Sequence, residues 1–378
     1  MDLYLPSFPQ IGRELAAEPA LVQLTLTGAF VGMAIGQLAA GPLSDRVGRM
    51  RPLVIVLSIY AAATIGCALA PSIGALIALR FGQGVGASAS AVIVLAIIRD
   101  SASGPRLVTL LARIQLVNGV FVIGAPALGA QLLLVFDWRG IFWLLVGYGV
   151  ALVVVALTVL LPRETNPRER RAEQGRPPLR ADYAALVRDR RFVAVIVAGA
   201  LQWGAMMAYM SSSAFLFQDL FGLSPTTYAI IFGAHGALMI AGAQLSARFA
   251  HRVPVERVLV RGLVVLASVA GALLLSVLLV PGLGILGFVV PLFAFTTTFG
   301  IISPAVQSTA LTPHGDRAGA AASLLGASNM VAGAVASPLV GVLGVGTVPV
   351  AALMTVCAAG ALASVLIGFG RTRRMEIA

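Results

Sequence analysis

Few residues in this chain have the types and spacing to do chemistry, and they fall in short, well-separated stretches. In GPLSDRVGRMRPL, from Gly41 to Leu53, one aspartate and three arginines are set among glycines. Gly41 and Gly48 permit a tight turn with close helix approach. Asp45, in a loop with Arg46 and Arg49, can accept hydrogen bonds from a helix N-terminus or from an arginine across the bundle interface. Such a loop makes and releases ion pairs, which is gating chemistry. A second stretch, RFGQGVGASAS from Arg80 to Ser90, places Gln83 one helical turn after Arg80 in otherwise apolar surroundings. A third, MDLYLP, offers the carboxyl of Asp2 two residues before Tyr4.

Uncharged polar residues form two further sets. Gln115 and Asn118 share one helical face, and Gln202, Met206, Tyr209 and Met210 recur at helical spacing, a mixture suited to a pliable cavity of mixed polarity. The same stripe fits the core of a helix bundle equally well. His235 stands alone in an apolar interval, and Cys67 and Cys357 read as small packing residues with no disulfide between them. Clustered metal ligands, a Ser/His/Asp constellation and a phosphate loop in a usable context are all missing. The Gly82-x-Gly84-x-Gly86 spacing follows no strand. An enzyme is therefore not expected, and neither is a metal or organic cofactor.

The elements that must hold these groups are membrane helices. Of 378 residues, 59% are hydrophobic and 11% charged, where a soluble chain carries about a quarter charged. The charges bound long intervals that match the ~20 residues of a spanning helix. Pro19 to Ser44, Pro52 to Leu79, Ile114 to Phe136, Gly140 to Pro162, Phe192 to Gln218 and Leu220 to Ala247 are uncharged, one span each. Ser72 to Ile98 makes another with Arg80 inside it. Gly262 to Gly315 and Ala318 to Gly370 are hairpins, broken at Pro281-Gly282 and near Gly344-Val345-Gly346. This predicts an all-α integral membrane protein with eleven complete spans. Met1 to Pro9 is expected to be the outer end of a truncated first helix.

All 26 basic residues are arginines, and 23 lie on one set of alternate loops, which the positive-inside rule assigns to the cytoplasm together with the C-terminus. The net charge of +11 is thus topology and gives no reason to expect nucleic acid. The stretch 162–191, with nine arginines, divides residues 1–161 from 192–378 as a linker along anionic headgroups. Weak repetition supports two six-helix halves: Asn118 precedes Pro126 much as Asn329 precedes Pro338. Arg80 lies ~10 Å inside the outer boundary at the helical rise, where an arginine costs about 2.5–3.5 kcal/mol. That cost points to function. Gly82, Gly86 and Ser90 make a small-residue stripe on the same helix for close packing on a neighbour.

The Gly41 to Leu53 loop resembles the signature loop of the major facilitator superfamily, with Met50 where a basic residue is usual. Arg80 to Ser90 resembles the second motif of its proton-coupled exporters, and Gly119, Gly124, Pro126 and Gly129 resemble its Gly/Pro-rich antiporter motif. With DLYLPSFP, Ile98-Arg99-Asp100, Asp137 to Phe142 and Ala318 to Gly326, the whole chain is similar to the Bcr/CflA-type multidrug efflux branch. The resemblance implies the major facilitator fold, two six-helix bundles around a central cavity in a bacterial inner membrane. It implies export of hydrophobic or amphipathic, chloramphenicol- or bicyclomycin-like drugs in exchange for protons, by a monomer powered by the proton gradient. Uptake of a metabolite on the same fold is the alternative, with a non-transporting sensor behind it. Asp2 and Arg80 are then the proton-coupling pair, because helices 1 and 4 of this fold line one face. Desolvation favours a neutral carboxyl and a nearby arginine the charged one. Tyr4, Gln83, Gln115, Asn118, Gln202, Met206, Tyr209 and Met210 are the expected cavity residues.

Overall fold

The computed structural model describes residues 2–102, 106, 110, 113–114, 117, 124–125, 128–160, 164–165, 179–250 and 252–375. Each expected span that falls within them is a helix, and no strand occurs among the described residues. The helices are α1 (Phe8–Glu14), α2 (Pro19–Val47), α3 (Met50–Ala68), α4 (Ile73–Ser101) and α5 (Trp138–Val155) in the first half. They continue as α6 (Leu179–Arg188), α7 (Arg190–Ala214), α8 (Pro225–Ala250), α9 (Val255–Leu279), α10 (Gly284–Leu311), α11 (Ala318–Leu343) and α12 (Thr347–Met375). Ten helical segments among the described residues are long and apolar enough to cross a membrane. The further span expected at 114–136 lies mostly outside the described residues, although 128–132 is helical.

Helix ends follow local chemistry. The side chains of Ser72, Asp137 and Asp189 accept backbone N–H bonds at the starts of α4, α5 and α7, which satisfies donors that a helix leaves open. Gly48 ends α2 at φ +99° and Gly344 ends α11 at φ +91°, conformations that favour glycine. The expected break at Pro281-Gly282 is a short 3-10 turn, Pro281–Leu283. At the beginning, a 3-10 turn (Asp2–Ser7) leads into α1, so helical structure extends past Pro9 to Glu14. Pro9 sits in the first turn of α1, where its missing N–H costs nothing.

The chain divides into two compact units, Met1–Pro178 and Leu179–Ala378. In the first, α4 packs on α2 and α3, and α5 packs on α3. In the second, α7 packs on α11 and α12, while α10 packs on α8 and α9. One device recurs in each. A Cβ on Gly32 would overlap the carbonyl oxygen of Phe81, and one on Gly84 that of Ala29, so α2 and α4 touch backbone to backbone. Gly242 and Gly300 stand in the same relation to Thr297 and Met239 between α8 and α10. Without a hydrophobic drive between helices in lipid, such close backbone contact is what holds spans together. The expected stripe faces α3: a Cβ on Gly86 would lie 2.6 Å from the Val56 oxygen, and one on Gly82 3.3 Å from the Ala63 Cβ.

Candidate functional site

Arg80 is 1% exposed on α4, and the elements around it are built to hold it. Its guanidinium carbon lies 4.2 Å from the centre of the Tyr4 ring. Tyr4 is itself fixed by edge contacts to Phe8 and Phe142, with ring centres 5.1 and 5.7 Å away. The Tyr4 hydroxyl is 2.9 Å from Thr25 Oγ1 of α2. Arg80 Nη1 donates to Gln83 Oε1, and Gln83 Nε2 donates to Thr64 Oγ1 of α3 at 3.0 Å. One buried cation thus gathers Tyr4, α2, α3 and α4. A stacked, desolvated arginine of this kind gains about 2 kcal/mol from the ring, and its charge is permanent. Asp2 begins the same 3-10 turn as Tyr4, but its side chain lies outside the described residues.

At the other end of α2, Arg49 is the hub of the signature loop. Its Nη1 donates to Ser44 Oγ at 2.7 Å and to Asp45 Oδ1, and its Nε donates to Asp100 Oδ2 of α4 at 3.0 Å. The start of α3 is held separately: Glu164 accepts from the backbone N–H of Arg49 at 2.8 Å and of Met50 at 3.2 Å. Burial alone would lower the Arg49 pKa, but the Asp100 bond and the charges of Asp45 and Asp100 outweigh it and raise the value above that of a free arginine. Arg46 is exposed, and a Cβ on Gly41 would come 4.0 Å from Val92 Cγ1 of α4. Sequence reasoning named Gly41, Asp45, Arg46, Gly48 and Arg49 in this loop; it missed Asp100 and Glu164 as partners. Asp100 was legible as the end of Ile98-Arg99-Asp100 in the last turn of α4.

In the second unit, α7 buries Gln202, Met206 and Tyr209, while Met210 is half-buried. Gln202 Nε2 donates to Ser303 Oγ at 3.0 Å and to the Phe299 carbonyl at 3.3 Å on α10. Tyr209 lies against His235 of α8, ring centres 5.1 Å apart. Of the antiporter-motif residues, a Cβ on Gly129 would overlap the Leu3 carbonyl oxygen, and one on Gly124 would meet nothing within 4 Å. Gly119, Pro126, Gln115 and Asn118 lie outside the described residues. Among the described residues no group of His, Cys, Asp and Glu is arranged to hold a metal ion.

A chain of spanning helices in two units, with a buried arginine and an arginine-centred loop, has the form of a membrane transporter. Residues 1–337 match the Major Facilitator Superfamily profile, and the chain belongs to that family. It is 36% identical over 360 residues to the uncharacterized MFS-type transporter YdgK of Bacillus subtilis (strain 168), covering 95% of this chain and 89% of that one. It is 29% identical to the bicyclomycin resistance protein homolog of Haemophilus influenzae, over 90% of this chain and 84% of that one. It is 27% identical to the multidrug resistance protein MdtL of Escherichia coli, over 92% and 85%. Among solved structures, a D-xylose–proton symporter superposes with a TM-score of 0.72 at 17% identity, over 97% and 93% of the two chains. The nucleoside transporter NupG does so with a TM-score of 0.73 at 14% identity, over 98% of both. These last two share the fold. The relatives agree with the Bcr/CflA-type drug-efflux resemblance of the motifs, and the protein is a multi-pass membrane transporter of small molecules, not an enzyme.

Proposed function

We propose that this transporter exports small hydrophobic or amphipathic drugs across a bacterial inner membrane in exchange for protons. It works as a monomer with a cytoplasmic C-terminus and needs no cofactor beyond the proton gradient. The observation that carries the reading is Arg80. A permanently charged side chain inside a span is costly, and here it is held by a ring and by an amide that a second helix's hydroxyl fixes in turn, an investment that packing alone does not require. In the proposed cycle Asp2 takes a proton when its surroundings are dry and gives it up when Arg80 approaches, while Arg49 and Asp45 hold and release the cytoplasmic side. The similarity to bicyclomycin and multidrug resistance proteins over nine-tenths of the chain supports drugs as the cargo. The test is accumulation of a panel of antibiotics in an efflux-deficient host. Export predicts lower accumulation that an uncoupler abolishes and that Asp2→Asn and Arg80→Ala both lose. Raised, uncoupler-sensitive accumulation would instead mean uptake.

A further inference from the structure

A small cavity is lined by described residues of the Leu179–Ala378 unit, where α7, α10 and α11 meet. Its volume is about 60 Å³. Gly199, Gln202 and Trp203 line it from α7, Ser303 and Val306 from α10, and Asn329 from α11. Gln202 is 2% exposed, and its nitrogen is already committed to Ser303 and Phe299. Its Oε1 accepts no hydrogen bond among the described residues, nor does Asn329 Oδ1, and the buried Trp203 Nε1 donates none. Two acceptors and one donor without partners therefore belong to side chains that line one space, beside the amide of Gln307. Buried polar atoms are almost always paired, so this arrangement asks for an occupant with two donors and one acceptor.

We propose that the cavity is a subsite for one uncharged carboxamide group of the transported molecule. The two amide N–H groups are accepted by Gln202 Oε1 and Asn329 Oδ1, and the amide carbonyl takes the Trp203 indole proton. A single water has the same complement of donors and acceptors and keeps the site satisfied between substrates. The subsite rests on the transporter reading above and sharpens its substrate class. Drug-sized sites measure about 300–1,000 Å³, so this space admits a functional group and not a whole drug. No ionisable side chain among the described residues lines it, so an ammonium or carboxylate would enter without a counter-charge from them. Gly199 keeps the space open. A Cβ there would stand 2.9 Å from Val306 Cγ1, 3.2 Å from Leu325 Cδ1 and 3.7 Å from Asn329 Oδ1.

Equilibrium dialysis of the detergent-purified full chain against 2-naphthamide and its N,N-dimethyl derivative tests the assignment. The two probes share a ring and a carbonyl and differ in their N–H donors. The wild type should prefer the primary amide by about tenfold or more, the factor expected when buried acceptors are left without donors. Gln202→Leu and Asn329→Leu should each bring the ratio towards one. Gly199→Ala should weaken binding of the primary amide while leaving every polar group in place. Binding needs no proton gradient, so the amide preference can stand even if the export assay fails. Equal affinity for the two probes, no binding of either, or a preference that survives all three substitutions would overturn the proposal and leave a water site only.

Discussion

Neutralising Asp100 should destabilise the Met1–Pro178 unit more than neutralising Asp45, although the loop motif contains only Asp45. Both carboxylates bond to Arg49, whose side chain is 9% exposed; that of Asp100 is 16% exposed and that of Asp45 59%. A hydrogen bond to a charged group contributes about 1.5–3 kcal/mol, and a neutral one roughly half. Asp100→Asn keeps the shape and one acceptor for the Arg49 cation but loses the opposite charge, so it should cost up to about half of that, ~0.8–1.5 kcal/mol. The Asp45 pair is solvent-screened, and Asp45→Asn should cost under about 0.5 kcal/mol. A thiol-reactive dye reads the difference in a heat melt. Cys67 and Cys357 are both buried free thiols, one in each unit. In a Cys357→Ser background Cys67 therefore reports on the first unit. At ~2–4 °C per kcal/mol, Asp100→Asn should lower the midpoint by about 2–6 °C and Asp45→Asn by less than about 2 °C. A larger shift for Asp45→Asn, or none for Asp100→Asn, would refute the burial argument.

Asp45→Asn should still slow drug flux sharply in folded, inserted protein, because a gate needs its charge even where stability does not; unimpaired flux would reduce the loop to topology. Gly84→Ala and Gly300→Ala should each lower the yield of folded protein, since the new methyl meets the backbone oxygen of Ala29 or Met239 and overpacking costs about 1–3 kcal/mol; normal monodisperse yield on size exclusion would contradict the close packing. Gln83→Leu removes a bond to Arg80 and another to Thr64, and coupled efflux should fall about tenfold. Tyr4→Phe keeps the ring beneath Arg80, and its efflux should stay within about threefold of wild type; the reverse order in an efflux assay would refute the Arg80 network.

The membrane fold was legible because arginines segregate so cleanly that each uncharged interval measures one span or a two-span hairpin. The breaks at Pro281 and Gly344 and the stripe at Gly82 and Gly86 were read correctly from the same local signals. Arg80 and Gln83 were linked by helical spacing alone. The partners of Arg49 were not legible as partners, since Asp100 is 51 residues away and Glu164 115, and no periodicity connects such distances. Tyr4 was expected among cavity residues, yet its place is beneath the Arg80 guanidinium, which only the packing of the first turn against α4 reveals. Met206 and Tyr209 show the limit of a stripe: helical spacing put them on one face, and both are buried. Asn329 stood out only as the echo of Asn118, and its convergence with Gln202 and Trp203 is a product of three helices meeting.

The most direct test of proton-coupled export is drug flux into proteoliposomes of the full chain under an imposed pH gradient. Exchange of drug for protons predicts that drug accumulates in vesicles that are acid inside, that a protonophore collapses the accumulation, and that Arg80→Ala vesicles show none. Flux that ignores the gradient, or drug that moves in the same direction as the protons, would contradict it.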